Sequence, residues 1–230
     1  MKKFLTFIII VVAAVYFGSQ YYLPQYVGNR IATQLESKLS ADDATVRVDS
    51  SPAMALLWGQ IDVFRGDVEN VQLGKLVVSD IHFDLSHLSI SPQALLLNHQ
   101  VVLTSMGTGS IEGTVTQANL KTFLESSISG FKVEEVHIRT NTISMSGPIN
   151  LGGLIQGRAT ITGELEIKNN ALYFAPEHFA INGMDVSGMN MSVMKSLRLY
   201  DFSTFPIPVT AYKIESSGGA IHIFVKPRAN

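Results

Sequence analysis

Residues 76–90 alternate apolar and polar side chains in the longest such run of the chain. A period of two sends successive side chains to opposite faces of an extended strand. Val77, Ile81, Phe83 and Leu85 are therefore expected on one dry face, and Asp80, His82, Asp84 and Ser86 on one wet face. A strand with one face in water belongs to an antiparallel sheet. Elsewhere the same pattern recurs in shorter runs, punctuated by Gly, Asn, Ser and Pro, which is the signature of a mainly β chain.

Two hairpins follow from the turn chemistry. Residues 164–168 return through Asn169-Asn170 to residues 171–174, and residues 212–215 return through Ser216-Ser217-Gly218-Gly219 to residues 221–225,. Val46 and Val48, alternating with Arg47 and Asp49, open the first strand. Pro206 and Pro208 make residues 205–209 a connector or an edge, because proline has no N–H for a central ladder,.

Helical periodicity is confined to a few places. Val27, Ile31, Leu35 and Leu39 recur every fourth residue, which predicts an amphipathic helix over residues 25–39 that docks on something apolar,. Leu120, Phe123, Leu124 and Ile128 form a stripe over residues 117–128, with Thr116 as N-cap and Gly130 as the stop,. Ala53–Trp58, between Pro52 and Gly59, reads as a short third helix. With no repeat of 20 to 50 residues and no linker-like tract, the pattern is one α+β domain, residues 24–230, of about eight to ten strands and two or three helices,.

The N-terminus bears on compartment. Lys2 and Lys3 precede an apolar run over residues 4–17, and no charged residue appears before Arg30, which is an export signal. The run alone reaches about 21 Å, short of a hydrocarbon core of about 30 Å. Extended to Leu23 it gives about 20 uncharged residues, with Tyr16, Tyr21 and Tyr22 where an interfacial aromatic belt belongs,. Ala14 precedes the best cleavage position, but the residues around it are bulky. Residues 1–23 are thus expected to be an uncleaved anchor, with the domain on the extracytoplasmic side of the cytoplasmic membrane, in periplasm or at the cell surface. Cleavage would instead release it as a secreted protein.

Composition excludes several classes. The chain has no Cys, hence no disulfide framework, thiolate metal site or lipidated cysteine. At 46% hydrophobic and 16% charged residues it is globular,. Seventeen basic residues against 19 acidic, interspersed, leave no electrostatic footprint for nucleic acid,.

The chain also lacks the spacings that carry catalysis: G-x-S-x-G, G-x-G-x-x-G after a strand, a Walker loop and H-E-x-x-H are all absent,. Asp80, His82 and Asp84 would line one strand face, but a solvated face produces the same pattern and is the preferred reading,. Glu134 and Glu135 are expected to alternate faces and so not to act together,. No metal, cofactor or enzymatic activity is expected. What stands out is apolar content: Met184, Met189, Met191 and Met194 fall close together with Val186 and Val193, and methionine re-packs around variable apolar shapes as well as filling ordinary cores,. Trp58, the only tryptophan, follows Met54, Leu56 and Leu57 on a segment suited either to a bilayer or to a core, with the core favoured,.

The order of features from Ser51-Pro52 through Gly59, Ile61-Asp62-Val63 and Asn70-Val71-Gln72-Leu73-Gly74 to Leu76-Val77-Val78, followed by Gly113-Thr114-Val115-Thr116-Gln117-Ala118-Asn119-Leu120, resembles the LmeA family of bacterial phospholipid-binding proteins over roughly residues 25–225. The resemblance implies a cell-envelope location and a highly curved antiparallel sheet packed against the helices, similar to tubular lipid-binding domains. It also implies phospholipid and membrane as partners. Phe83, the Leu120-Phe123-Leu124 stripe, Met184, Met189, Met191 and Trp58 are the expected lipid-contacting residues. The rival expectations are a structural or interaction protein of the envelope with a solid core, and an enzyme whose site the sequence does not display.

Overall fold

The computed structural model describes residues 2–128, 131–151, 155–186 and 195–228, excluding the side chains of residues 2–17, 19, 96, 150, 151, 155 and 156. In chain order the elements are α1 (Lys2–Leu39), β1 (Asp43–Asp49), a 3-10 helix (Ala53–Trp58), β2 (Gln60–Leu73), β3 (Leu76–Ile90), α2 (Pro92–Asn98), β4 (Leu103–Ser105) and β5 (Thr108–Thr116). There follow α3 (Gln117–Ser127), β6 (Glu135–Arg139), β7 (Thr142–Leu151), β8 (Ile155–Lys168), β9 (Ala171–Ile181), β10 (Met184–Asp185), β11 (Leu197–Asp201), a second 3-10 helix (Phe202–Thr204), β12 (Val209–Ser217) and β13 (Ala220–Pro227). The α+β class with antiparallel strands is as the alternation predicts. The strands are distributed over two sheets, a seven-stranded one ordered β1-β2-β3-β5-β13-β12 with β4 beside β3, and a six-stranded one ordered β10-β9-β8-β7-β6 with β11 beside β9.

The chain forms two compact units, residues 1–68, 82–111 and 227–230 in the first, and residues 69–81 and 112–226 in the second. In the first unit, α1 packs on β1 and on the 53–58 helix. Its buried stripe is Val27, Gly28, Ile31, Ala32 and Leu39, with Leu35 only half-buried. A side chain at position 28 would meet the Val46 carbonyl oxygen at 2.8 Å, so glycine permits this close helix-on-strand approach. The helix expected over 25–39 is the C-terminal part of one continuous helix that runs through Pro24. Among the described residues no helix is long and apolar enough to cross a membrane, and the apolar run 4–17 falls where only the backbone is described.

In the second unit, α3 begins at Thr116, whose hydroxyl accepts from the Asn119 N–H at 3.4 Å as predicted, and the helix packs on β6. The predicted stop at Gly130 lies outside the described residues. The Asn169-Asn170 hairpin forms with the predicted register, Lys168 opposite Ala171. Both asparagines are left-handed, at φ 51° and 57°, the geometry that matches the twist of a two-residue turn. The second predicted hairpin is tighter than expected, because β12 continues through Ser217 and β13 starts at Ala220, leaving only Gly218 and Gly219 to turn.

The long strands depart from strict alternation. In β3 the buried residues are Leu76 and Val78, then Ile81, Phe83 and Leu85, then Leu88 and Ile90, so the dry phase slips by one residue twice. Val77, predicted on the dry face with Phe83, is accordingly only half-buried. The second slip occurs at His87, whose φ of 58° marks an irregularity, and β2 slips likewise at Asn70, φ 52°. Such single-residue insertions bend and twist a strand locally.

Candidate functional site

The expected lipid-contacting residues divide into a buried set and an exposed set. Leu120, Phe123 and Leu124 project from one face of α3 into the second unit and are buried, Leu124 to 1% exposure. The helix is fixed there by polar contacts at its ends. Asn119 Nδ2 donates to Ser79 Oγ at 2.9 Å, the Ile138 N–H donates to Gln117 Oε1 at 3.3 Å, and Lys75 Nζ donates to the Ser126 carbonyl at 3.3 Å. Phe83 is buried in the first unit, edge-on to Phe64 with ring centroids 6.0 Å apart. Met184, in contrast, is 69% exposed on the short edge strand β10. Met189, Met191, Met194 and Val193 lie outside the described residues.

Trp58 corrects the sequence reading. It is 68% exposed, not a core anchor. The 53–58 helix turns Ala53, Ala55 and Leu56 inward, and Trp58, as its last residue, is left in solvent. The helix is stopped by Gly59 at φ 78°, where a side chain would collide with the Ile90 carbonyl oxygen and lie 3.2 Å from Pro92 Cδ. The Ile90 N–H in turn donates to the Gly59 carbonyl at 2.8 Å. From Ile90 the chain enters α2, a helix the sequence reading missed although its signals are present: the Ser91 hydroxyl accepts from the Ala94 N–H and Pro92 occupies the first turn,. The Ser91 N–H donates to the Val102 carbonyl, and Leu103 pairs with Ile90. Gln34 of α1 closes the arrangement, accepting from the Val101 N–H at 2.6 Å and donating to its carbonyl at 3.0 Å. Around this end of the first unit Leu57, Trp58, Leu97, Val102 and Leu103 are all exposed.

The polar clusters are occupied by partners across neighbouring strands. His82 Nδ1 lies 2.6 Å from Asp67 Oδ1, and Asp84 pairs with Arg65 at 3.5 Å, so the predicted solvated face of β3 is a row of cross-strand pairs. Among the described residues no group of His, Asp and Glu is arranged to hold a metal. Glu134 and Glu135 do converge, contrary to expectation. Glu134 precedes the start of β6, so strand alternation does not separate them, and Arg158 bonds both, Nη1 to Glu134 at 3.3 Å and Nη2 to Glu135 at 2.8 Å. Arg158, with help from the Ser146 hydroxyl, holds the Glu135 carboxyl below its usual range. The pair is an ion cluster exposed at a sheet edge, with both carboxylates satisfied by the same guanidinium.

The fold is α+β, with an exposed apolar end on the first unit and cross-strand ion pairs on its strands. The profile of the LmeA-like phospholipid-binding family matches residues 21–224. The chain belongs to that family, which is one of phospholipid binders and not of enzymes. No curated protein and no solved structure matches the chain significantly.

Proposed function

We propose that the chain is an extracytoplasmic protein of a bacterial cell envelope that holds or presents phospholipid, tethered to the cytoplasmic membrane by residues 1–23 and performing no chemistry of its own. The observation that carries this reading is the family match, which spans both units. The dibasic, apolar N-terminus supports the tether,. Each acyl CH₂ moved out of water into an apolar site is worth about 0.8 kcal/mol, so one chain supplies ample affinity without a charged headgroup pocket. The α3 stripe Leu120, Phe123 and Leu124 is the proposed acyl contact in the second unit. Phe83, Trp58, Met184, Met189 and Met191 complete the proposed lipid-contacting set.

The near-complete burial of Phe83, Leu120, Phe123 and Leu124 favours the alternative of a solid core at those positions. Lipid extraction and native mass spectrometry of the full chain purified from cells decide between the two. Bound phospholipid is expected, and a chain that never carries any overturns the proposal. N-terminal sequencing of the membrane-recovered protein tests the tether, which a mature start at or after Val15 would exclude.

A further inference from the structure

The exposed apolar end of the first unit is built from two stretches of sequence that contain no Asp, Glu, Lys or Arg, residues 50–61 and residues 85–111. Asp49, Asp62, Asp84 and Glu112 stand immediately outside these two stretches. The fold brings the two together: Gly59 is hydrogen-bonded to Ile90, Ser91 to Val102, and the 53–58 helix packs on α2. Trp58, Leu57, Leu97, Val102 and Leu103 thus surround one short strand end, and Leu97 is 76% exposed. An uncharged cluster of solvent-exposed Leu, Val and Trp is not needed for the core, which is formed here by Ala53, Ala55, Leu56, Ile90 and Leu95. Clustered exposure of this kind marks an interaction surface.

We infer that this end of the first unit docks on the surface of a phospholipid bilayer, inserting Trp58 and its aliphatic neighbours at the level of the headgroup–acyl boundary. The inference rests on the phospholipid-holding reading, and it names where the protein meets the membrane from which that lipid comes. A bilayer fits better than a protein partner for two reasons. Taken as a whole, a protein interface that is not permanent is only about as apolar as the rest of the surface, whereas Leu57, Trp58, Leu97, Val102 and Leu103 are all exposed together here. An exposed tryptophan beside leucines is also the combination that partitions to the membrane interface, where the indole N–H stays hydrated and the ring is buried. The 53–58 helix also packs on α1, the helix that carries exposed Tyr21 and Tyr22.

Because Trp58 is the only tryptophan, its emission reports this surface alone. The full chain is reconstituted into vesicles of phosphatidylcholine and phosphatidylglycerol, with and without bromine on the acyl chains. The expected result is a shift of emission to shorter wavelength, quenching by the brominated lipid and loss of quenching by aqueous acrylamide. Trp58 that stays open to acrylamide and blind to brominated lipid in vesicle-bound protein overturns the inference. The double variant Leu97→Asp, Val102→Asp leaves the reporter in place at two exposed positions. It is expected to keep the wild-type melting transition and vesicle attachment but to lose quenching by brominated lipid, and retained quenching counts against the inference. Acrylamide protection without vesicles, together with a dimer mass, would assign the surface to a second copy and overturn it too. Lipid extraction in parallel keeps the two readings apart: phospholipid carried while Trp58 stays in water removes the docking surface, and Trp58 from the lipid-contacting set, but leaves the holding function, whereas Trp58 in the bilayer with no phospholipid ever carried removes only the holding function.

Discussion

Leu124→Ala separates packing from lipid contact at the centre of the α3 stripe. Leu124 is 1% exposed, so the substitution deletes three buried carbons. At about 0.8 kcal/mol per carbon the transfer loss is about 2.4 kcal/mol, and the vacated space raises it to about 3–5 kcal/mol. For a chain of this size each kcal/mol lowers the melting temperature by about 2–4 °C, so a fall of roughly 6–20 °C is expected by circular dichroism. Packing alone predicts that much and nothing further. Where the side chain also faces an acyl chain, lost contact of even about 1.4 kcal/mol reduces affinity about tenfold, and phospholipid recovered per folded molecule falls accordingly. The two readouts are independent. A variant that melts like wild type refutes the burial argument, and one that melts lower yet carries the full complement of phospholipid removes Leu124 from any acyl contact.

Asn170→Ala is expected to cost about 2–3 kcal/mol in urea unfolding, because it loses a left-handed residue and two side-chain bonds, from Nδ2 to the Val209 carbonyl at 3.0 Å and from the Ala211 N–H to Oδ1 at 2.9 Å,. Asn170→Gly, which restores only the backbone freedom, should recover about 1 kcal/mol of that. Gly59→Ala places a methyl against the Ile90 carbonyl oxygen at φ 78°. It is expected to destabilise by at least about 2 kcal/mol and to alter Trp58 emission before any unfolding. Glu135, held low by Arg158, and Asp201, held low chiefly by the Ser203 hydroxyl and N–H, have depressed carboxyl pKa values. Their contribution is present in full above the ordinary carboxylate range of about pH 4 and is lost as pH falls through the lowered values. Melting temperature should therefore drop on acidification below about pH 4, and Glu135→Gln should flatten part of that slope.

Local signals in the sequence were read well where the responsible contacts are local. The Thr116 cap, the Asn169-Asn170 turn and the β1 alternation are set by residues within a turn of one another, and each is found in place. The differences have separate physical causes. The anchor over residues 1–23 and the helix over 25–39 are separate expectations, whereas α1 runs through both and through Pro24 without a break. Ser91-Pro92 carries a cap and first-turn signal, but seven residues of helix are too few to show a periodicity, so α2 went unseen. For the candidate lipid contacts, hydropathy identified apolar residues without distinguishing Leu124, covered by its unit, from Trp58, left in water. That difference arises from which face of a short helix the chain turns inward.

The two phase slips in β3 also say where this strand tolerates a change in length. Deleting a residue from an alternating strand throws everything beyond it onto the wrong face. At His87 the arithmetic is reversed: Ile81, Phe83 and Leu85 precede the slip and Leu88 and Ile90 follow it out of phase, so loss of that one residue would restore an unbroken period of two. Relatives of this chain that are one residue shorter at that point can keep every buried side chain on its face, and an alignment that spreads the gap elsewhere in the strand would pair core positions with solvent ones.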